Sequence, residues 1–189
     1  MATLKQDARN ILSSRDPLVR LILINVLVYL FLKLTDTLLF LFGDRHVHAL
    51  ILHNLAVPAG LEQLLTKPWT LLTYMFLHED FFHLLFNMLW LWWLGRIFHD
   101  HLGSARLTGT YLLGGIAGAA VYILSFNLFP AFRGMTHHSF AMGASAAVLA
   151  IVTGAATLLP GYKLNLILIG PVSLRYIALF SILLDLLSI

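Results

Sequence analysis

Residues 81–98 read FFHLLFNMLWLWWLGRIF, an apolar stretch whose polar side chains include His83, Asn87 and the single charged residue Arg96. A transmembrane helix needs about 20 predominantly apolar residues, so this stretch predicts a membrane span. The whole chain has the same character, because 59% of its 189 residues are hydrophobic and only 11% are charged. Ordinary soluble domains carry roughly 25% charged residues. The composition therefore excludes soluble globular, coiled-coil, disordered and nucleic-acid-binding proteins.

Four further apolar segments complete the prediction of an all-α polytopic membrane protein with five spans. The first runs from Leu18 to about Phe42, but Lys33 and Asp36 lie inside it, and we expect the span to end near Lys33 with the rest interfacial. Residues 43–78 are too polar to span and are rich in Leu and aromatic residues, which predicts a structured hairpin in the membrane interface. The other three spans start near Leu107, Gly143 and Pro171 and end near Leu128, Pro160 and Ile189.

Gly114 and Gly118 lie four residues apart in the third predicted span. Small residues at this spacing let membrane helices approach each other closely. We therefore expect this span to pack tightly against a neighbouring one.

The distribution of Lys and Arg predicts the orientation. With a cytoplasmic N-terminus, the inner side holds Lys5, Arg9, Arg15, Arg20, Arg96, Arg106, Lys163 and Arg175, and the outer side holds Lys33, Arg45, Lys67 and Arg133. This excess on the inner side follows the positive-inside tendency. Residues 1–17 then form a cytoplasmic N-terminal segment and residues 18–189 one membrane domain. Because no organelle-targeting pattern is visible, we expect a bacterial plasma membrane.

Three polar side chains at the outer ends of predicted spans are the candidate functional residues. His83 and Asn87 are four apart and share one face of the second span. Ser145 begins the fourth span, where the first helical turn offers unpaired N–H groups and the positive end of the helix dipole. A buried hydroxyl beside such donors has the outline of a nucleophile with an oxyanion hole. The structural alternative for Ser145 is a hydrogen bond to the preceding turn, and for His83 and Asn87 it is hydrogen bonding between helices.

The same residues carry a resemblance to the rhomboid family of intramembrane serine proteases. His83 and Asn87 match its His-x-x-x-Asn motif, and Gly143-Ala144-Ser145 matches its Gly-x-Ser motif. The resemblance covers about residues 18–189 and implies a bundle of six helices that cleaves single-span membrane proteins with a Ser–His dyad and no metal or cofactor. It makes Ser145 the nucleophile and gives the oxyanion hole to His83, Asn87 and the Ser145 N–H.

The sequence departs from the family pattern at the general base. The family's base is a histidine on the sixth helix, whereas here no histidine follows His138. We expect that the sequence is truncated at its C-terminus, five of six spans being present, and that the 189-residue chain is inactive because a serine without a base is a weak nucleophile. A catalytically inert rhomboid-like protein that binds membrane clients is the alternative.

Other catalytic classes fit the sequence less well. The run from His78 to His83 resembles the zinc motif His-Glu-x-x-His but has one residue too many, so on a helix the two rings would point about 140° apart. An aspartyl protease would need two facing membrane carboxylates, and Asp36 and Asp185 have no motif around them. A transporter would show a matched pair of broken helices, which the hydrophobic segments lack.

Overall fold

The computed structural model describes residues 16–43, 46–166 and 170–187. Most of the predicted N-terminal segment and the last two residues of the final predicted span lie outside these ranges, and so does the side chain of Asp185. Four of the basic residues that predict the orientation are also outside them: Lys5, Arg9, Arg15 and Arg45.

Helix α1 comprises Pro17–Leu41. Its start follows helix-capping rules, because the Asp16 carboxylate accepts a hydrogen bond of 2.9 Å from the Leu18 N–H and Pro17 occupies the first turn. The helix continues past Lys33 without a break, so no change in the backbone marks the predicted end of the first span.

Residues 46–76 form a compact series of short elements that precedes the second long helix, in accord with a structured, non-spanning hairpin. Because helices this short are only marginally stable in isolation, they depend on tertiary contacts. In chain order they are α2 (His46–Leu55), β1 (Val57–Pro58), α3 (Leu61–Thr66), α4 (Thr70–Thr73) and a 3₁₀ turn (Tyr74–Phe76).

The second and third long helices are α5 (Phe81–Leu102) and α6 (Ser104–Leu128). Asp80 caps α5, its carboxylate accepting the His83 N–H at 2.8 Å. Gly103 separates the two helices with a φ of +81°, a backbone conformation that favours glycine. With α1, they are the three helices in the described ranges that are long and apolar enough to cross a membrane.

The last part of the described chain contains two shorter apolar helices and a small hairpin. Helix α7 (Ser145–Leu158) is followed by the antiparallel strands β3 (Lys163–Leu166) and β4 (Gly170–Ser173) and by α8 (Leu174–Leu187). The predicted start of the fifth span at Pro171 is wrong, because residues 170–173 pair with β3 and the helix begins at Leu174. The fold remains all-α in its architecture, and the strand pairings in the described ranges are two-stranded and lie in loops.

Helix α7 packs against α5, α6 and α8 and is the centre of the described bundle. The predicted tight packing of Gly114 and Gly118 is confirmed. A Cβ on Gly118 would overlap the Cβ of Ala146, and one on Gly114 would overlap that of Ala150. Helices α6 and α7 therefore meet at van der Waals distance along this edge.

Candidate functional site

The chain that leads into α7 is bound to the segment that precedes α5. Strand β2 (Phe140–Ala141) pairs antiparallel with β1, Val57 facing Ala141 and Pro58 facing Phe140. The next backbone group continues the ladder, because the Ala59 N–H donates to the Ser139 carbonyl oxygen at 3.0 Å. These bonds fix the position of the chain shortly before Ser145.

Gly143 completes this attachment. Its N–H donates to the Tyr74 carbonyl oxygen at 2.9 Å, and its φ of +129° turns the chain into the helix. Ser145 follows as the first residue of α7, and the Ala144 carbonyl accepts the Val148 N–H at 2.8 Å. The N–H groups of the first helical turn have no partner within the helix. The Ser145 hydroxyl therefore lies at a helix end where backbone N–H groups are available as hydrogen-bond donors.

A cavity of about 860 Å³ brings the three candidate side chains together. His83 and Asn87 reach it from α5, and Ser145 reaches it from α7. Helix α8 supplies a wall through Phe180 and Ser181. The rest of the lining is apolar and comes from α5 and α7: Phe86, Trp90, Val148, Leu149 and Val152. A mostly apolar concavity with a few convergent polar groups is the usual form of a binding site.

The His83 ring lies directly against the backbone at Gly143. A Cβ added to Gly143 would be 2.7 Å from Cε1 and 3.1 Å from Nε2 of this ring. The glycine of the Gly-x-Ser motif therefore provides the space in which the imidazole lies beside the segment that leads into α7.

His78 is a residue of this site that sequence reasoning missed. It is 1% exposed, and its Nε2 lies 3.3 Å from Asn87 Nδ2 and 3.4 Å from the Ala144 nitrogen. Burial, with a smaller contribution from neighbouring His83, lowers the pKa of His78 to about 4. His78 is therefore neutral at pH 7.

The expected angular separation of His78 and His83 is wrong. It assumes that both residues are helical, whereas α5 begins at Phe81 and His78 precedes it. The two rings meet edge to face with their centroids 5.1 Å apart. Across the described ranges, no group of three or more His, Cys, Asp or Glu side chains could hold a metal ion.

Comparison with known proteins identifies the fold. The sequence model of the rhomboid domain matches residues 65–189, about two thirds of the chain. The chain belongs to the rhomboid family. Relatives named Rhomboid protease GlpG, from Salmonella newport (strain SL254) and Salmonella heidelberg (strain SL476), are each 44% identical to it over 39 residues. That alignment covers 21% of this chain and 14% of each relative.

Membership of the rhomboid family indicates an integral membrane protein, in agreement with the three long apolar helices. A second, apolar groove of about 540 Å³ lies between α5 and α8, beside the cavity that Ser145 lines. It shares Phe86, Trp90 and Phe180 with the cavity lining. The groove and the cavity are thus adjacent along the same pair of helices.

Proposed function

We propose that residues 18–189 belong to an intramembrane serine endopeptidase that cleaves single-span membrane proteins, with Ser145 as its nucleophile. The observation that carries this proposal is the shared cavity of Ser145, His83 and Asn87, with the serine at the first position of a helix. Rhomboid membership supplies the reaction class and the kind of substrate.

In the proposed reaction, the Ser145 hydroxyl oxygen attacks a peptide carbonyl of the substrate. The developing oxyanion is stabilised by the Ser145 N–H and by the side chains of His83 and Asn87. The peptide bond then breaks, the amine leaves with a proton, and water hydrolyses the acyl-enzyme. No cofactor takes part in these steps.

The general base is the component that these 189 residues do not supply in the proposed mechanism. The serine needs a neighbouring base to lose its proton, and no histidine follows His138 in the sequence. We therefore propose that these residues alone do not complete the catalytic dyad. The 189-residue chain alone should then show no serine reactivity.

Substrate would enter from the lipid side between α5 and α8. Phe86 and Phe180 line the cavity, and both are more than half exposed in the protein alone. The adjoining apolar groove could receive a substrate helix, because its lining is almost entirely hydrophobic. The scissile segment would then unwind into the cavity, where Ser145 lies.

We also propose that the N-terminus faces the cytoplasm and that the membrane is a bacterial plasma membrane. The excess of basic residues on the inner side supports the orientation. Fusing a periplasm-active enzyme and a cytoplasm-active fluorescent protein to each end in turn tests it. Activity of the periplasmic reporter at the N-terminus would contradict the orientation.

The decisive experiment uses the complete natural protein and a single-span membrane reporter in cells. Ser145→Ala should abolish cleavage. The matched control is Ser181→Ala, because Ser181 lines the same cavity and its hydroxyl donates a hydrogen bond of 2.9 Å to the Ile177 carbonyl oxygen. That control should keep cleavage near the wild-type rate. Cleavage that survives Ser145→Ala would exclude this serine as the nucleophile.

The assignment of the base has its own test. A fluorophosphonate probe should leave the 189-residue chain unlabelled and should label the complete protein at Ser145. Labelling of the shorter chain that disappears in Ser145→Ala would place the base within these 189 residues.

Binding of membrane clients without cleavage is the second candidate function. The lack of a histidine after His138 favours it. An inert binder would retain the intact reporter equally well as wild type and as Ser145→Ala. The reporter experiment therefore separates the two candidates.

A further inference from the structure

His78 has no role in the reaction proposed above, although it is one of the most deeply buried side chains in the described chain. It is 1% exposed and lies just before α5, between Asn87 on that helix and Ala144 at the start of α7. Histidine is rarely buried so completely without hydrogen-bond partners. Its partners therefore indicate what it does.

The hydrogen bonds determine the protonation of the ring. Asn87 Nδ2 is an amide nitrogen and the Ala144 nitrogen is a backbone amide, so both can only donate. His78 Nε2 lies 3.3 Å from the first and 3.4 Å from the second. This atom must therefore be the unprotonated acceptor, and the ring proton belongs on Nδ1. A doubly protonated ring would present a third donor to these two.

This acceptor joins one component of the proposed oxyanion hole, the Asn87 amide, to the residue before Ser145. The Asn87 amide carries two N–H groups, so the one that His78 accepts sets the amide plane and leaves the other for the cavity. The Ala144 N–H is the group directly before that of Ser145. Fixing it orients the peptide that leads to the nucleophile.

We propose that His78 is a positioning residue that holds the Asn87 amide and the start of α7 in the orientation needed to stabilise the oxyanion. The inference rests on the proposed protease function. This role requires a neutral ring with an unprotonated Nε2, and the burial of the side chain favours the neutral form. His78 itself need not touch the substrate.

The kinetic test uses two variants of the complete protein. His78→Gln can place its Oε1 where Nε2 stood and so keeps an acceptor, whereas His78→Leu has similar bulk and no acceptor. We expect His78→Leu to lower kcat about 10- to 100-fold with KM little changed, because the donors are misaligned. His78→Gln should restore kcat to within a few-fold of wild type. Equal losses in both variants, or a folded His78→Leu with wild-type kcat, would overturn the proposal.

A spectroscopic test does not depend on activity. In protein labelled with ¹⁵N-histidine, the His78 signals are those that disappear in His78→Gln. We expect an unprotonated Nε2 and a protonated Nδ1 at pH 7, and Asn87→Ala should shift the Nε2 resonance. A proton on Nε2 would overturn the inference even if the reporter is cleaved. Failure of the wild-type protein to cleave would instead refute the proposed function, while the ¹⁵N spectrum still decides whether His78 joins these two groups.

Discussion

The imidazole of His83 occupies the space that a side chain at Gly143 would fill. A Cβ there would lie 2.7 Å from Cε1 of the ring, and the φ of +129° is itself unfavourable for any residue other than glycine. The glycine and the histidine of the two motifs are thus coupled by contact. Replacing one should displace the other.

Gly143→Ala should therefore destabilise the protein by about 1–3 kcal/mol and abolish labelling of Ser145 in the complete protein. Thermal unfolding in detergent and probe labelling measure the two effects. Gly134→Ala is the matched control, because its φ of +82° is also positive but a Cβ there meets nothing within 4 Å. It should cost backbone strain alone and leave labelling intact. Equal loss of labelling in both variants would show that contact with His83 is irrelevant.

The contact between α6 and α7 predicts opposite signs for two glycine substitutions in one helix. Gly118→Ala should destabilise the protein by about 1–3 kcal/mol, because the new methyl would overlap Ala146. Gly109→Ala should be neutral or stabilising by up to about 1 kcal/mol, since a Cβ there meets nothing and alanine favours a helix. Unfolding midpoints in detergent compare them. Similar midpoints for both variants would contradict the close approach of α6 and α7.

A buried hydrogen-bond chain connects α1, α6 and the 3₁₀ turn before α5. Asn25 Nδ2 donates to the Tyr111 hydroxyl at 3.0 Å, and that hydroxyl donates to the Met75 carbonyl at 3.1 Å. Tyr111→Phe removes the middle of the chain and should cost about 0.5–2 kcal/mol of unfolding free energy. Tyr162→Phe, at a side chain that is 46% exposed, is the control and should cost little.

Asp16 combines two separable roles at the start of α1. One oxygen caps the helix at 2.9 Å from the Leu18 nitrogen, and the other lies 2.9 Å from Arg96 Nη1. Asp16→Asn keeps a capping oxygen and should lose at most about 1 kcal/mol, because the ion pair is partly exposed. Asp16→Ala should lose about 1 kcal/mol more. Identical stability of the two variants would mean that the cap contributes nothing.

The low pKa of His78, about 4, predicts a pH dependence of stability. Between pH 6.5 and about 4, the unfolded chain takes up a proton at this residue that the folded protein does not bind. Stability should therefore fall as the pH falls through this window, by up to about 3 kcal/mol. The stability difference between wild type and His78→Gln, measured at pH 8 and then downward, should shrink accordingly. Parallel curves would show that the folded protein accepts a proton on His78 readily.

The fold was largely predictable because membrane spans leave a strong pattern in the sequence. The predicted second span, residues 81–98, lies within α5, and α7 starts at Ser145, where the loop before it ends. What could not be predicted was the detail around the charged residues of the first span. The end of the first span near Lys33 stays a prediction, because α1 continues through that residue. The contact between Asp36 and His48 Nδ1, at 3.9 Å, was not predicted. Such partners depend on tertiary structure.

The three side chains that line the cavity were predictable from a helical period, for His83 and Asn87, and from the start of a span, for Ser145. His83 and Asn87 share a helix face, so their convergence follows from spacing. His78 lies in a loop, and its contact with Ala144 joins residues 66 apart in sequence. Strands β1 and β2 pair through only two residues each, so they are too short to show the alternation of apolar and polar residues that reveals a strand in a sequence. Contacts of this kind become visible only in three dimensions.

The attachment of the chain before Ser145 to residues 57–78 also sets an order of events during translation. At about 5–20 residues per second, the ribosome needs roughly 3–13 s to progress from His78 to Ala144, which are 66 positions apart. During this interval the nascent chain contains His78 but does not yet contain Ala144, its later partner. The geometry at the start of α7 can therefore form only after α5 and α6 have been synthesised, so the candidate site assembles when most of the described bundle exists.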